Sequence, residues 1–202
     1  MFVLSVAVVS LGVALVRGGN LLALGQVRIR FSGVLIAALL LKAAVYSTIG
    51  IQYLGSGWLS RITHLMLTVV LLAVILVNRD LPGFWIIGLG ILSNLFVLLA
   101  NGGSMPVSLA GAERLGLSTD PLLFHQHFGE ANILQSEGAR LWFLGDVIVS
   151  PSFLPAKVIS IGDMLVAIGM FIFCQKVMVG RYPAETAQSS GISVPASYPG
   201  HK

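Results

Sequence analysis

Five long apolar runs, at residues 2–16, 31–54, 62–77, 83–100 and 158–179, constrain this chain more than any motif in it. A helix needs about 17–25 mostly apolar residues to cross the hydrocarbon of a bilayer. The first run lies near the lower limit, and the second is long enough to span with some tilt. Apolar residues make up 56% of the chain and charged residues 10%, with a mean hydropathy of +0.92. Soluble domains carry about 25% charged residues. A chain of 202 residues can bury a soluble core, so shortage of length is not the cause. The surface itself is apolar, and the implied solvent is lipid.

The polar segments between the runs read as connectors. Residues 17–30 carry Arg17, Arg28 and Arg30 and no acid. Residues 55–60 form a Gly-rich turn with Trp58 as an interface anchor. Asn78, Arg79 and Asp80 close the third run, and Pro82 fits the start of the next helix. The longest polar stretch is 101–157. Within it, 107–117 reads as a short amphipathic helix, and 141–153 is apolar but too short to span, an interfacial or re-entrant candidate. Residues 181–202 are rich in Pro, Ser and Gly and read as a disordered tail. The first run has no basic segment before it and no cleavage site before Arg17, so it reads as a retained helix rather than a signal peptide. The expected fold is an all-α integral membrane bundle of about five transmembrane helices. One helical domain covers 1–180, with a long outer loop at 101–157 and a cytoplasmic tail at 181–202.

Lys and Arg counts set the orientation. With five spans, Arg17, Arg28, Arg30, Arg79, Lys176, Arg181 and Lys202 fall on one side. Arg61, Arg114, Arg140 and Lys157 fall on the other, among more acids. The first side is therefore cytoplasmic, and the N-terminus and long loop face out of a bacterial cytoplasmic membrane. The net charge of +4 does not indicate nucleic acid, because the cations stand singly beside apolar runs. The expected partners are the lipid bilayer and other membrane subunits.

Polar residues inside the runs need a reason. At a rise of about 1.5 Å per residue, Asp163 lies roughly 8 Å below the outer boundary, Asn94 roughly 10 Å, Tyr46 roughly 12 Å and Lys42 roughly 18 Å. A lysine stem can snorkel outward. Lys42, Tyr46, Asn94 and Asp163 can therefore meet in one outward-facing cluster, with His64 beside it. Gly83, Ile87, Gly90, Asn94 and Asn101 share one helix face, where small residues permit close approach and Asn94 can bond across helices. The alternative is that these groups serve packing alone.

Other chemistry finds less support. His125 and His127, with Glu130, Glu137 and Asp146 nearby in sequence, have the right ligand types for a divalent metal. Two histidines at that spacing share a direction only on a strand, and none is expected there. No HExxH, CxxC, GxSxG, P-loop or CxxCH framework occurs. The lone Cys174 reads as a small packing residue. No cofactor and no catalytic residue is predicted.

Three short motifs stand out: Asn101-Gly102-Gly103-Ser104-Met105-Pro106, Leu144-Gly145-Asp146 and Ser160-Ile161-Gly162-Asp163. Their order and spacing resemble a family of small bacterial multi-pass membrane proteins catalogued only as a domain of unknown function. The resemblance covers about residues 1–180. It implies a membrane location and attaches no role to Asn101, Gly102, Gly103, Met105, Pro106, Gly145, Asp146, Gly162 or Asp163. Read physically, Gly102 and Gly103 permit a tight turn, and Pro106 suits the opening of a short helix. Asp146 can cap or neutralise a helix end, and Asp163 lies where a helix N-terminus favours negative charge.

Two functions follow. The first is an accessory or structural subunit of a larger membrane complex, consistent with small size and no catalytic constellation. The second is a small-molecule or ion transporter, or a membrane enzyme, built on the outward polar cluster. The absence of an internal repeat ranks the second lower.

Overall fold

The computed structural model of the protein describes residues 2–45, 58–116, 132–134, 138–151 and 157–180. In chain order the elements are α1 (Phe2–Val16), α2 (Leu22–Gln26), α3 (Ser32–Val45), α4 (Trp58–Val77), α5 (Phe84–Ala100), β1 (Met105–Val107), α6 (Leu109–Arg114), β2 (Asn132–Leu134), a 3-10 turn (Trp142–Leu144), β3 (Asp146–Val149), β4 (Val158–Ser160) and α7 (Ile161–Met178). Each apolar run contains a helix, the second over its described part and the last after the three residues of β4. Among the described residues, α7 is long and apolar enough to cross a membrane by length and composition.

The main helix contacts run in the order α1–α7–α5–α4–α3. At the centre, α5 and α7 are antiparallel and touch backbone to backbone. Gly83 faces Gly169, and Gly90 faces Gly162. A methyl at Gly90 would lie 2.5 Å from the Gly162 carbonyl oxygen and 2.9 Å from Val166 Cγ2. One at Gly169 would lie 2.6 Å from both the Gly83 carbonyl oxygen and Ile87 Cγ1. Gly83 at the start of α5 and Gly90 stand about two helical turns apart, as do Gly162 and Gly169 on α7, which puts the glycines of each helix on one stripe. No larger side chain fits this contact.

The remaining helices attach to that pair. α1 runs parallel to α7. The Gln175 side chain donates to the Ser10 carbonyl at 2.9 Å and accepts from Arg17 Nη1 at 2.8 Å. Below it, Ile75, Phe84, Ile87, Phe173, Cys174 and Val177 form a buried apolar cluster at the end where α4 gives way to α5. Cys174 packs there as a small apolar residue. On the far side, Ala38 of α3 meets Leu67 and Leu71 of α4. Large apolar side chains stay exposed on the outer helices, among them Leu4 at 63% and Leu40 at 65%.

The chain is mostly helical but not all-α. A four-stranded sheet, in the order β2-β1-β3-β4, lies at the end where α5 stops and α7 starts. β1 pairs with β2 and β3 in parallel, and β3 pairs with β4 antiparallel. The strands hold three or four residues each. That is too short to display an alternating pattern. Their partners are also remote in sequence, as with Met105 and Asn132 or Val107 and Asp146. The segment 141–153, expected as interfacial or re-entrant, forms the 3-10 turn and β3 over its described part, with β3 paired into the sheet. The helix expected over 107–117 is the shorter α6, begun by Ser108, whose hydroxyl accepts from the Gly111 N–H at 3.2 Å. The tail at 181–202 lies outside the described residues.

The glycine contact carries a test. Replacing Gly90 by Val should lower stability by roughly 3 kcal/mol or more, because the neighbouring backbone cannot move aside cheaply. Gly12→Ala, where the added methyl meets nothing within 4 Å, should raise stability by about 0.5 kcal/mol. Thermal unfolding followed by circular dichroism distinguishes them, and similar midpoints for the two variants would remove the close-contact account.

Candidate functional site at the sheet end

The start of α7 is built by three side chains from two helices and a strand. Ser160 is the N-cap, in extended conformation, and its hydroxyl accepts from the Asp163 N–H at 2.9 Å. The same hydroxyl donates to Asn94 Oδ1 at 2.9 Å. Asn94 Nδ2 in turn donates to Asp163 Oδ1 at 3.1 Å. The ring closes because Gly162 has no side chain: a Cβ there would strike the Asn94 amide. Gly162 makes the space and Asp163 takes the bond, which is the local meaning of the Gly-Asp step. The carboxylate also sits in the first turn, where the helix N-terminus favours it.

Strand register brings a second carboxylate to this point. Asp146 opens β3 and pairs across the sheet with Ser160. Residues directly opposite in an antiparallel pair project to the same face. Asp146 is 5% exposed, and Asp163 and Lys157 act on it electrostatically. Burial pushes its carboxyl up to about 7, the negative charge of Asp163 adds to the rise, and Lys157 opposes it. Lys42 on α3 lies within electrostatic reach of Asp163 and Lys157. His64 on α4 lies within reach of Lys42 and Lys157. Lys42, His64, Asp146, Lys157 and Asp163 thus form a run of titratable groups, each within electrostatic reach of at least one other, and Asn94 and Ser160 tie down Asp163.

Of the candidates read from sequence, Asn94 and Asp163 are hydrogen-bonded here, with Lys42 in electrostatic reach of Asp163 and His64 in reach of Lys42. Tyr46, His125 and His127 lie outside the described residues, as do Glu130 and Glu137. Among the described residues, no cluster of His, Cys, Asp or Glu could hold a metal ion. Sequence reasoning left Lys157 out of the cluster, read Ser160 only as part of a motif, and read Asp146 as able to cap or neutralise a helix end. The Ser-x-x-Asp spacing before an apolar run is a capping signal and could have found Ser160. No local signal pairs Asp146 with Ser160.

The Asn101–Pro106 segment holds the sheet to α5. Gly103 has φ +85°, and its N–H closes the helix end on the Leu98 carbonyl at 2.7 Å. A Cβ there would also lie 2.9 Å from Arg61 Cβ. Asn101 Nδ2 donates to the Val97 and Arg140 carbonyls at 2.8 and 2.7 Å, and Oδ1 accepts from the Arg140 N–H at 2.9 Å. Asn78 does the same at the end of α4. Its Nδ2 donates to the Val74 and Arg30 carbonyls at 2.8 and 2.9 Å, and Oδ1 accepts from the Arg30 N–H at 2.7 Å. Each asparagine ends its own helix and grips a remote backbone. Gly102 has φ +62° and is exposed. Met105 and Pro106 are buried in β1, so Pro106 lies within a strand and not at the start of α6.

The profile of a family of unknown function, DUF5317, matches residues 26–175. An uncharacterized protein of Thermotoga maritima is 39% identical over 101 residues, which is 48% of this chain and 52% of that protein. The chain thus spans about half the length of that curated relative. No solved structure matches.

Asp146 yields a pH test with a definite sign. Its folded value, about 7, lies above the ordinary 3.8. The folded state therefore holds its proton more tightly than the unfolded state, and stability falls as pH rises between about 4 and 7. At about 1.4 kcal/mol per pH unit, the loss is at most roughly 4 kcal/mol. Asp146→Asn should match the parent near pH 4, exceed it at pH 8 and flatten the slope between. A variant slope equal to the parent's would assign the pH dependence elsewhere.

Proposed function

The chain belongs to the DUF5317 family of unknown function, and on that premise we propose that it is a five-span membrane protein whose charged cluster takes up an ion or small polar solute from the outer side. In this reading α1, α3, α4, α5 and α7 are the spans, and the sheet caps their outer ends. The N-terminus is outside and the chain after α7 is cytoplasmic. The apolar surface of the helices supports lipid as their solvent: Leu4, Val8, Leu40, Leu41 and Phe96 are all more than half exposed. The excess of Arg and Lys at the end away from the sheet supports the orientation.

One observation carries the activity. Lys42 of α3, His64 of α4, Asp163 of α7 and Asp146 of the sheet lie within electrostatic reach from one to the next, and Asn94 of α5 is bonded to Asp163, although 121 residues separate Lys42 from Asp163. Charges within spans are costly unless they pair or serve a pathway. Here carboxylates and ammonium groups of both signs offer acceptors and donors to a small charged guest. Asp146, outside the spans, titrates near neutrality and can exchange a proton as that guest binds or leaves.

A second reading, an accessory subunit, draws on α3. This helix packs on α4, and its Val34, Ile36, Leu39, Leu40 and Leu41 remain exposed. Another membrane subunit can cover that face as well as lipid can.

Native mass spectrometry of protein extracted from its own membranes in mild detergent separates the two. The solute reading expects a bound small species on the parent that is lost from both Lys42→Met and Asp163→Asn variants while both keep the parent's helical circular dichroism. A stoichiometric protein partner with no small species bound would sink that reading in favour of the subunit.

A further inference from the structure

The other end of the molecule holds a cavity of about 660 Å³, far from the charged cluster. Arg17 at the end of α1, Asp80 and Pro82 in the α4–α5 turn, and Gln175, Lys176 and Val179 at the end of α7 line it, with Phe171 and Ile172. The size falls in the range of small-molecule sites, roughly 300–1,000 Å³. Its chemistry is divided. Two cations and one carboxylate are among its lining residues, beside the aromatic and aliphatic Phe171, Ile172 and Val179. We propose that this cavity binds the headgroup of a membrane phospholipid bearing a primary amine, with the phosphodiester at Arg17 and Lys176 and the ammonium at Asp80. The inference rests on the five-span reading, which puts this end at the cytoplasmic membrane surface.

The donors and acceptors have capacity for this. Arg17 uses Nη1 on Gln175 Oε1 at 2.8 Å, which fixes the guanidinium and leaves further N–H groups of its fork. Gln175 is itself held by the Ser10 carbonyl at 2.9 Å, so the arginine is anchored to two helices. Lys176 is exposed and adds a mobile charge. A carboxylate accepts several bonds, so Asp80 can serve an ammonium alongside its existing interaction. A purely anionic headgroup would satisfy the cations and be repelled by Asp80. A quaternary ammonium could not donate a hydrogen bond to it. The zwitterion with a primary amine matches both signs. Phe171 and Ile172 lie about one turn before Gln175 and Lys176 on α7, toward the membrane interior, where acyl chains would lie. That placement favours a lipid over a free phosphoethanolamine. Basic pockets between helices on the cytoplasmic side are suited to lipid headgroups in general.

The test uses the full chain reconstituted in nanodiscs of phosphatidylethanolamine, phosphatidylcholine and phosphatidylglycerol in equal parts. Co-released lipids are then counted by native mass spectrometry. The expected result is retention of phosphatidylethanolamine over phosphatidylcholine by about fivefold, the worth of one charge contact at a membrane surface. Asp80→Asn should abolish that preference, and Lys176→Gln should lower retention of all three lipids. Soluble glycerophosphoethanolamine should not compete. Equal retention of the lipids by the parent, preference for phosphatidylglycerol, or an undiminished preference in Asp80→Asn would overturn the proposal, as would full competition by the soluble headgroup. Carbonate extraction tests the membrane reading separately. Release of the chain from the membrane fraction would end the five-span reading, whereas an embedded chain without lipid preference would end this one alone.

Discussion

The close contact of α5 and α7 is the interaction on which the rest of the structure depends. Gly83 on Gly169 and Gly90 on Gly162 let two backbones meet where any larger residue would hold them apart. Helices that associate this closely do so through packing and through bonds across the interface. The glycines supply the first. Asn94, bonded to both Ser160 and Asp163, supplies the second at one end of the same stripe.

The sheet is the consequence of that contact at the end where it sits. α5 leaves through Gly103, and β4 runs directly into α7, so the two central helices fix where β1 and β4 begin. β3 fills the space between those strands, and its first residue, Asp146, pairs with Ser160 and thus lands beside Asp163. Asn101 secures the arrangement from α5 by gripping Arg140, just before the 3-10 turn. Asn78 repeats the device at the opposite end, where it holds Arg30 ahead of α3. Both asparagines bond back to the valine four residues earlier, so each is fixed before it reaches across. The fold is held at both ends by bonds from side chain to backbone that connect segments remote in sequence.

The two ends of the molecule differ in their chemistry. The sheet end collects titratable groups of both signs, several of them partly or fully buried. The other end carries Arg17, Arg79 and Lys176, with Asp80 and apolar walls nearby. Arg79 lies 5.9 Å from the centre of the exposed Trp85 ring, a pairing suited to a polar–apolar boundary. The two ends therefore offer different chemistry to whatever surrounds them.

The sequence by itself determined where the helices lie, because a long apolar run with a polar stop is a local property. The starts and stops of α1, α4, α5 and α7 fall within a few residues of the hydropathy boundaries. It also identified Lys42, His64, Asn94 and Asp163 as residues needing a partner, because their cost in an apolar run is local too. The sheet was not legible. Strands of three or four residues have no readable period, and β1 finds its partners at Asn132 and Asp146, well along the chain. Pro106 shows the difference: in sequence it reads as a helix opener, and in the fold it is buried inside a strand. Only the tertiary structure decided that Asp146 faces Ser160 and that Lys157 joins the cluster. Strand register and helix crossing are set by non-local contacts, and those contacts leave no trace in the spacing of neighbours along the chain.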